Sequence, residues 1–335
     1  MRRGLLAWDR NEVPAAVLDA RVEKCRIALR DAGFDALLLY NNFPRPAAVS
    51  WLTHFVPYWS QGVLLVPKAG APEYFVSLSN RVAGWVAETS HMGDIISTPR
   101  LGADLARRLN GAKRIGVVEL SRLPGGIARP LLDGLPGVAL EDATTMFRSV
   151  RHPADETERA VTRKAATLAR RSLDAALAVG GYTRSGALTA AIEGPARLAG
   201  AEEVIIELAP DLSDNAALRR IDGDLPLADR YALRLSLAYK GHWVRIGYTH
   251  DQHADRVAKW LPENLITGAG GGGEDGIDTQ SRIVEACVGS APLSAVSELP
   301  EGAIGIVNLA LAIDGDTHLL STPVLNDAGV IAPLV

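Results

Sequence analysis

An amphipathic helix followed at once by a short, wholly apolar strand opens this chain, and the same alternation recurs through its first 145 residues. DARVEKCRIALRDAG (19–33) sets Val22, Cys25, Ile27 and Leu29 on an apolar side and closes on Gly33. FDALLLY then reads as a buried strand. WSQGVLLVPKAGAPEYFVS gives two strands joined by a Gly/Pro turn at Lys68–Pro72. A helical stretch around Asp104–Leu109 leads to another buried strand, Arg114–Val118. Strands that alternate with helices must be covered by them, so this region is expected to be a small α/β domain.

The pattern changes at SVRHPADETERAV. Pro153 ends an extended piece, and Asp155 with Glu158 has the spacing of a capping box. The helix behind it has Val161, Ala165, Leu168, Ser172 and Ala176 on one face and closes on Gly180–Gly181. Its basic face, Arg159, Arg163, Lys164, Arg170 and Arg171, is read as solvated. A second helix, Ser185–Leu198, contains Pro195, which should kink or break it. The strand Glu203–Leu208 follows, then a hairpin over 229–249. Beyond it the spacing suggests a short helix in THDQHADRVAKW, a flexible loop at 268–276 and a short helix at Asp278–Val288. Strands at Ala303–Ala312 and His318–Leu325, joined by a turn at Asp314–Gly315, close the chain.

Composition narrows the function classes. A net charge of −4 gives no pull towards nucleic acid or an anionic membrane surface. No apolar run approaches the length of a membrane span, and Trp8, Asp9 and Arg10 interrupt the apolar start too early for a signal peptide. Cys25 and Cys287 lack CxxC or Cys/His neighbours and read as reduced thiols of a cytoplasmic protein. The glycine-rich 268–276 lacks the Lys-Ser/Thr of a phosphate loop.

Four stretches, in this order, carry a resemblance. They are DALLLYNNFP with GVLLVPKAGAPEYFV, then SVRHPADETERAVTRKAATLARRSLDAAL with GYTRSGALTAAIEGPARLAGAEE, then LPLADRYALRLSLAYKGHWVRIGYT, then LPEGAIGIVNLALAIDGDTHLLSTPVLNDAG. Together they resemble the creatinase/aminopeptidase P family with its pita-bread fold. The resemblance implies an α/β (α+β) protein with a creatinase-type N-terminal domain over 1–148. A pita-bread domain over 149–335 would follow, shortened around 250–302.

Active members of that family hold two divalent cations with two Asp, a His and two Glu, and the metal-bridging water is the nucleophile. The two Asp stand eleven positions apart on the hairpin, which puts them at Arg234 and Arg245. The first closing-strand Glu falls on Asn308 and the last on Leu320, or on Ser321 one register along. No residue matches the His. Guanidinium is not deprotonated in proteins and offers no lone pair to a cation. The resemblance therefore implies a member with no metal and no cofactor. In that reading Arg234, Arg245 and Asn308 form a ligand site for a small carboxylate, or the arginines pair with Asp229, Glu207 or Asp211.

Two uses are expected. One is a non-catalytic binding or partner subunit, a homodimer or a heterodimer with an intact paralogue, with His54 and Trp59 of the N-terminal domain reaching over a neighbour's cleft. The other is a metal-independent, creatinase-like hydrolase of a small C–N compound, with His242, His250 or His253 moving protons beside Asp251 or Asp255. A surviving peptidase built on those histidines is the weakest reading, since HExxH is absent.

Overall fold

The computed structural model describes residues 8–57, 60–267 and 276–334. It divides into two compact units, Arg2–Pro153 with Cys287–Pro292, and Ala154–Ala286 with Leu293–Val335.

In the first unit the helices are α1 (Ala15–Ala32), α2 (Ala47–Thr53), α3 (Ala83–Thr89), α4 (Leu101–Arg108), α5 (Gly125–Asp133) and α6 (Thr144–Arg151). The strands are β1 (Ala36–Asn42), β2 (Gln61–Pro67), β3 (Glu73–Val76), β4 (Asp94–Ser97), β5 (Arg114–Val118) and β6 (Ala139–Asp142), in sheet order β4-β3-β2-β1-β5-β6. The apolar run of β1 serves two cores, because successive side chains leave opposite faces of a strand. Leu37 and Leu39 pack with Cys25, Leu29, Trp51 and Phe147. Leu38 and Tyr40 pack with Leu101, Leu105, Ile127 and Leu131. Cys25 is fully buried, and burial pushes its thiol up to about 12, which removes it from thiolate chemistry. Gly33 closes α1 in the left-handed conformation at φ 70°.

The second unit begins with α7 (Glu156–Val179), whose first turn is capped as expected, the Asp155 carboxylate accepting the Glu158 N–H at 2.8 Å. Next come α8 (Ser185–Leu198), β7 (Glu203–Ala209), β8 (Tyr231–Tyr239), β9 (His242–His250) and α9 (Ala254–Thr267). The closing strands are β10 (Ile277–Ala286), β11 (Ser294–Val296), β12 (Ile304–Ile313), β13 (Asp316–Asp327) and β14 (Val330–Pro333). They form two antiparallel sheets, β7-β8-β9 and β11-β10-β12-β13-β14.

One expectation fails here and another holds only in part. Asp278–Val288 is not a helix; Ile277–Ala286 pairs along β12, and long-range pairing overrides a locally helical spacing. Of the kink or break expected at Pro195, the break does not occur, since α8 runs on to Leu198. The glycine-rich stretch lies outside the described residues except for Gly276.

The two sheets of the second unit touch where β9 crosses β13. A Cβ on Gly247 would stand 2.4 Å from the Ser321 amide nitrogen. Thr249 completes the contact: its hydroxyl donates to the Leu319 carbonyl at 2.8 Å and accepts the Leu319 N–H at 2.9 Å. Gly247→Ala is expected to cost about 2–3 kcal/mol in chemical denaturation, since backbone rather than a pliable side chain opposes the new methyl. A loss below about 0.5 kcal/mol would contradict so close an approach.

In the first unit, Asp35 ties three segments. Its carboxylate accepts from Lys68 Nζ at 2.6 Å and from the Lys113 and Arg114 amides at 2.8 and 3.3 Å. The Lys68 ammonium, backed by those amides, holds the Asp35 carboxyl down at about 2. An unfolded aspartate titrates near 3.9, so this stabilisation is complete above roughly pH 4 and lost as pH falls towards about 2. Asp35→Asn should flatten the acid limb of the pH–stability curve in that window, and an unchanged slope would contradict the pairing.

Candidate functional site

The β8–β9 register fixes the site. Arg234 lies opposite Gly247, and Ser236 lies opposite Arg245. Directly opposed residues share a face, as do residues two apart along a strand, so Arg234, Ser236, Arg245, Gly247 and Thr249 all leave one side of the hairpin. Gly247 and Thr249 contact β13, so this is the side turned to the closing sheet.

Each arginine meets a carboxylate of the chain. Arg234 Nε donates to Glu207 Oε2 at 2.8 Å, with Glu207 directly across the β7–β8 pairing. Arg245 donates through Nη1 to Glu285 Oε2 and through Nε to Ser236 Oγ at 3.0 Å. Asn308 Nδ2 reaches the same Glu285 oxygen at 2.9 Å. Ser321 Oγ donates to Asn308 Oδ1 at 2.7 Å. Arg245, Glu285, Asn308 and Ser321 thus form one chain of donors and acceptors. The Arg245 and Glu285 side chains keep 23% and 15% of their exposure, well enough shielded for charge-assisted bonds to matter.

Of the two closing-strand registers, Ser321 is the one that reaches the site: it pairs with Asn308 across β12–β13, whereas Leu320 pairs with Leu309. Of the carboxylates weighed for the arginines, Glu207 is the one engaged. Glu285 and Ser236 escaped the sequence reading. Glu285 was hidden by the helical assignment of its segment, although Val284 and Ala286 are buried on either side of it, the alternation of a strand. Ser236 carried a signal, since with Arg234 it is the polar pair at period two in YALRLSLAY.

The other candidates do not converge on this site. His242 Nδ1 is 3.0 Å from Thr162 Oγ1 on α7. His250 is exposed and stacks on Tyr231 at a ring separation of 4.8 Å. His253 is buried, with Nε2 3.5 Å from Asp316 Oδ2. His54 is buried in the first unit, where it ends α2 at φ 61°. Its neighbours Trp51 and Phe55 are core residues, set edge-on to Phe147 and Tyr74. Trp59 lies outside the described residues. One further imidazole stands in a built setting: His318 Nδ1 is 3.0 Å from Asp251 Oδ2, with both side chains almost fully buried. Desolvation lowers the His318 pKa, outweighing the raising effect of Asp251.

Comparison with known proteins now places the chain. Residues 21–152 match the family model described as the Creatinase/Prolidase N-terminal domain. The chain has the prolidase fold, with a creatinase-type N-terminal domain. Over 94% of its length it superposes on 97% of the X-Pro aminopeptidase from Thermotoga maritima, with a TM-score of 0.71 and 14% identity. The prolidase from Pyrococcus horikoshii gives 0.66 and 14%, covering 94% of this chain and 97% of that one. The Xaa-Pro dipeptidase from Bacillus anthracis gives 0.67 and 13%, covering 95% and 97%. No curated protein sequence matches the chain.

The metal pair that this fold implies can be tested against the donors present. Hard divalent cations need several anionic or carbonyl oxygens. Around this face stand two guanidinium groups, a carboxamide and the hydroxyls of Ser236 and Ser321, and both nearby carboxylates are taken by the guanidinium groups. Among the described residues, no group of three or more His, Cys, Asp or Glu side chains could hold a metal ion. The donor set does not fit the metal pair. No helix of the described residues is long and apolar enough to cross a membrane.

Glu285→Ala is expected to destabilise the protein by about 2–3 kcal/mol, because it strands a shielded guanidinium. Adding Arg245→Met should recover part of that loss, giving a coupling energy of about 1–2 kcal/mol in a denaturant-melt cycle. Strict additivity would show that the pair makes no shared contribution.

Proposed function

We propose that this chain is a metal-free, non-peptidase member of the Xaa-Pro peptidase and creatinase group, acting as a binding or partner subunit. The observation that carries the reading is the Arg245–Glu285–Asn308–Ser321 network at the positions where the fold's metal ligands are expected. A guanidinium already bonded to a carboxylate supplies no lone pair to an electrophilic metal and no base to activate water.

The space left supports the same reading. The cavity bordered by Arg234, Gly247, Asn308 and Ser321 has a volume of about 130 Å³. Small-molecule sites run to several hundred Å³, so it takes a few waters rather than a dipeptide. Both arginines also have internal carboxylates, which makes a small external carboxylate a competitor for seats already filled.

As a partner subunit, the chain would form a homodimer or pair with a paralogue that retains the ligand set. A metal-independent hydrolase is the second reading. It needs a base facing a cavity, and the imidazole that meets this condition is His318 rather than His242, His250 or His253.

The test is hydrolysis of alanyl-proline by the purified chain in Mn²⁺ or Co²⁺, with sedimentation equilibrium on the same sample. The expected result is no turnover above the metal-only control and a dimer at micromolar concentration. Metal-dependent release of proline would overturn the proposal, and a monomer that recovers no paralogue in pull-downs would remove the partner role.

A further inference from the structure

A second cavity, of about 350 Å³, lies in the second unit along the β9 strand, between α9 and β13. It shares Gly247, Leu320 and Ser321 with the smaller cavity, but His318 borders this one alone. Ile246, Val257, Leu261, Leu320 and Pro323 give its walls an apolar part, while the charged Arg170 and Asp255 also border it, and its size is usual for small-molecule sites.

The polar feature of this cavity is unusual. His318 is 3% exposed and Asp251 has no side-chain exposure, yet the imidazole borders the cavity. Asp251 is fixed from behind, its Oδ1 accepting the His253 N–H at 2.8 Å while its Oδ2 faces His318 Nδ1. A carboxylate can only accept, so the proton of a neutral imidazole sits on Nδ1 and the lone pair on Nε2. Nε2 has no hydrogen-bond partner among the described residues. The atom is not among the fully buried ones left without a partner, so it keeps some access beside the cavity that the ring borders, and an accessible acceptor there can take a bond from a donor. The charged groups that act on the ring are Asp251, His253 and Arg230; Arg230 is bonded to Asp316 and His253 stands against Asp316 as well. Of the charged residues that border the cavity, Arg170 is paired with Asp174, and both it and Asp255 are exposed residues.

We propose that this cavity is a small-molecule site, anchored by the His318–Asp251 pair, for an uncharged ligand with an apolar body and one N–H or O–H donor. The donor bonds to His318 Nε2, and Asp251 acts by fixing the tautomer and the ring plane. The site stands independently of the partner-subunit reading, since none of its polar anchors belongs to the arginine network.

The probe is indole, whose ring suits the cavity and whose N–H supplies the donor, against benzofuran, which has the same shape and no donor. Both are titrated into full-length protein labelled with ¹⁵N at histidine, at about pH 8, where an ordinary imidazole is neutral. Indole is expected to shift the His318 Nε2 resonance saturably and to bind about tenfold more tightly than benzofuran. His318→Leu, used to assign the resonance and checked for a cooperative melt, should bind the two compounds alike. Equal affinities in the wild type, or no saturable shift at millimolar indole, would overturn the proposal. The affinity ratio of the two compounds is read on the wild type alone, so it does not depend on the variant folding.

Discussion

The close passage of β9 over β13 at Gly247 governs the second unit. With no side chain at that position, the Ser321 backbone comes to within 2.4 Å of where a Cβ would stand, and Thr249 bonds twice to Leu319 beside it. That approach sets the depth of everything between the sheets. It brings a hairpin face carrying two arginines against strands that offer Asn308 and Ser321, and it leaves only about 130 Å³ between them. It also places β13 so that His318 borders a different and larger cavity beside α9.

Two arginines on one strand face would repel if nothing answered them. The sheet answers each separately, Glu207 from the neighbouring strand β7 and Glu285 from β10 in the facing sheet. Such pairs are costly to break singly, because the partner is left charged and shielded. The site is therefore held by coupled interactions across both sheets, and a cation entering it would have to displace a guanidinium from its carboxylate. The two sheets also pack directly, through Gly247 and Thr249 against β13.

Much of this was legible in the sequence because it depends on short-range pattern. The run FDALLLY predicts a strand buried on both faces, and Asp155 with Glu158 predicts the start of α7, each from local chemistry. The hairpin's polar face was legible through period-two spacing. Glu285 was not, because its strand is specified by pairing with β12, and local spacing there reads as helix. His318 was invisible for another reason: its partner Asp251 is far away in sequence, and only the fold brings the two within 3.0 Å. His250 and His253, adjacent to Asp251 in sequence, looked better placed but point to a tyrosine ring and to the β12–β13 turn.

The central claim is that a guanidinium–carboxylate network stands where this fold's metal pair is expected. The most direct measurement is a crystal structure from crystals soaked in Mn²⁺, with anomalous data collected near the manganese edge. The account predicts no anomalous peak among Arg234, Arg245, Glu285, Asn308 and Ser321, with the Arg245 guanidinium seated on Glu285. A manganese peak coordinated by Glu285 or Glu207, with its arginine swung aside, would contradict it.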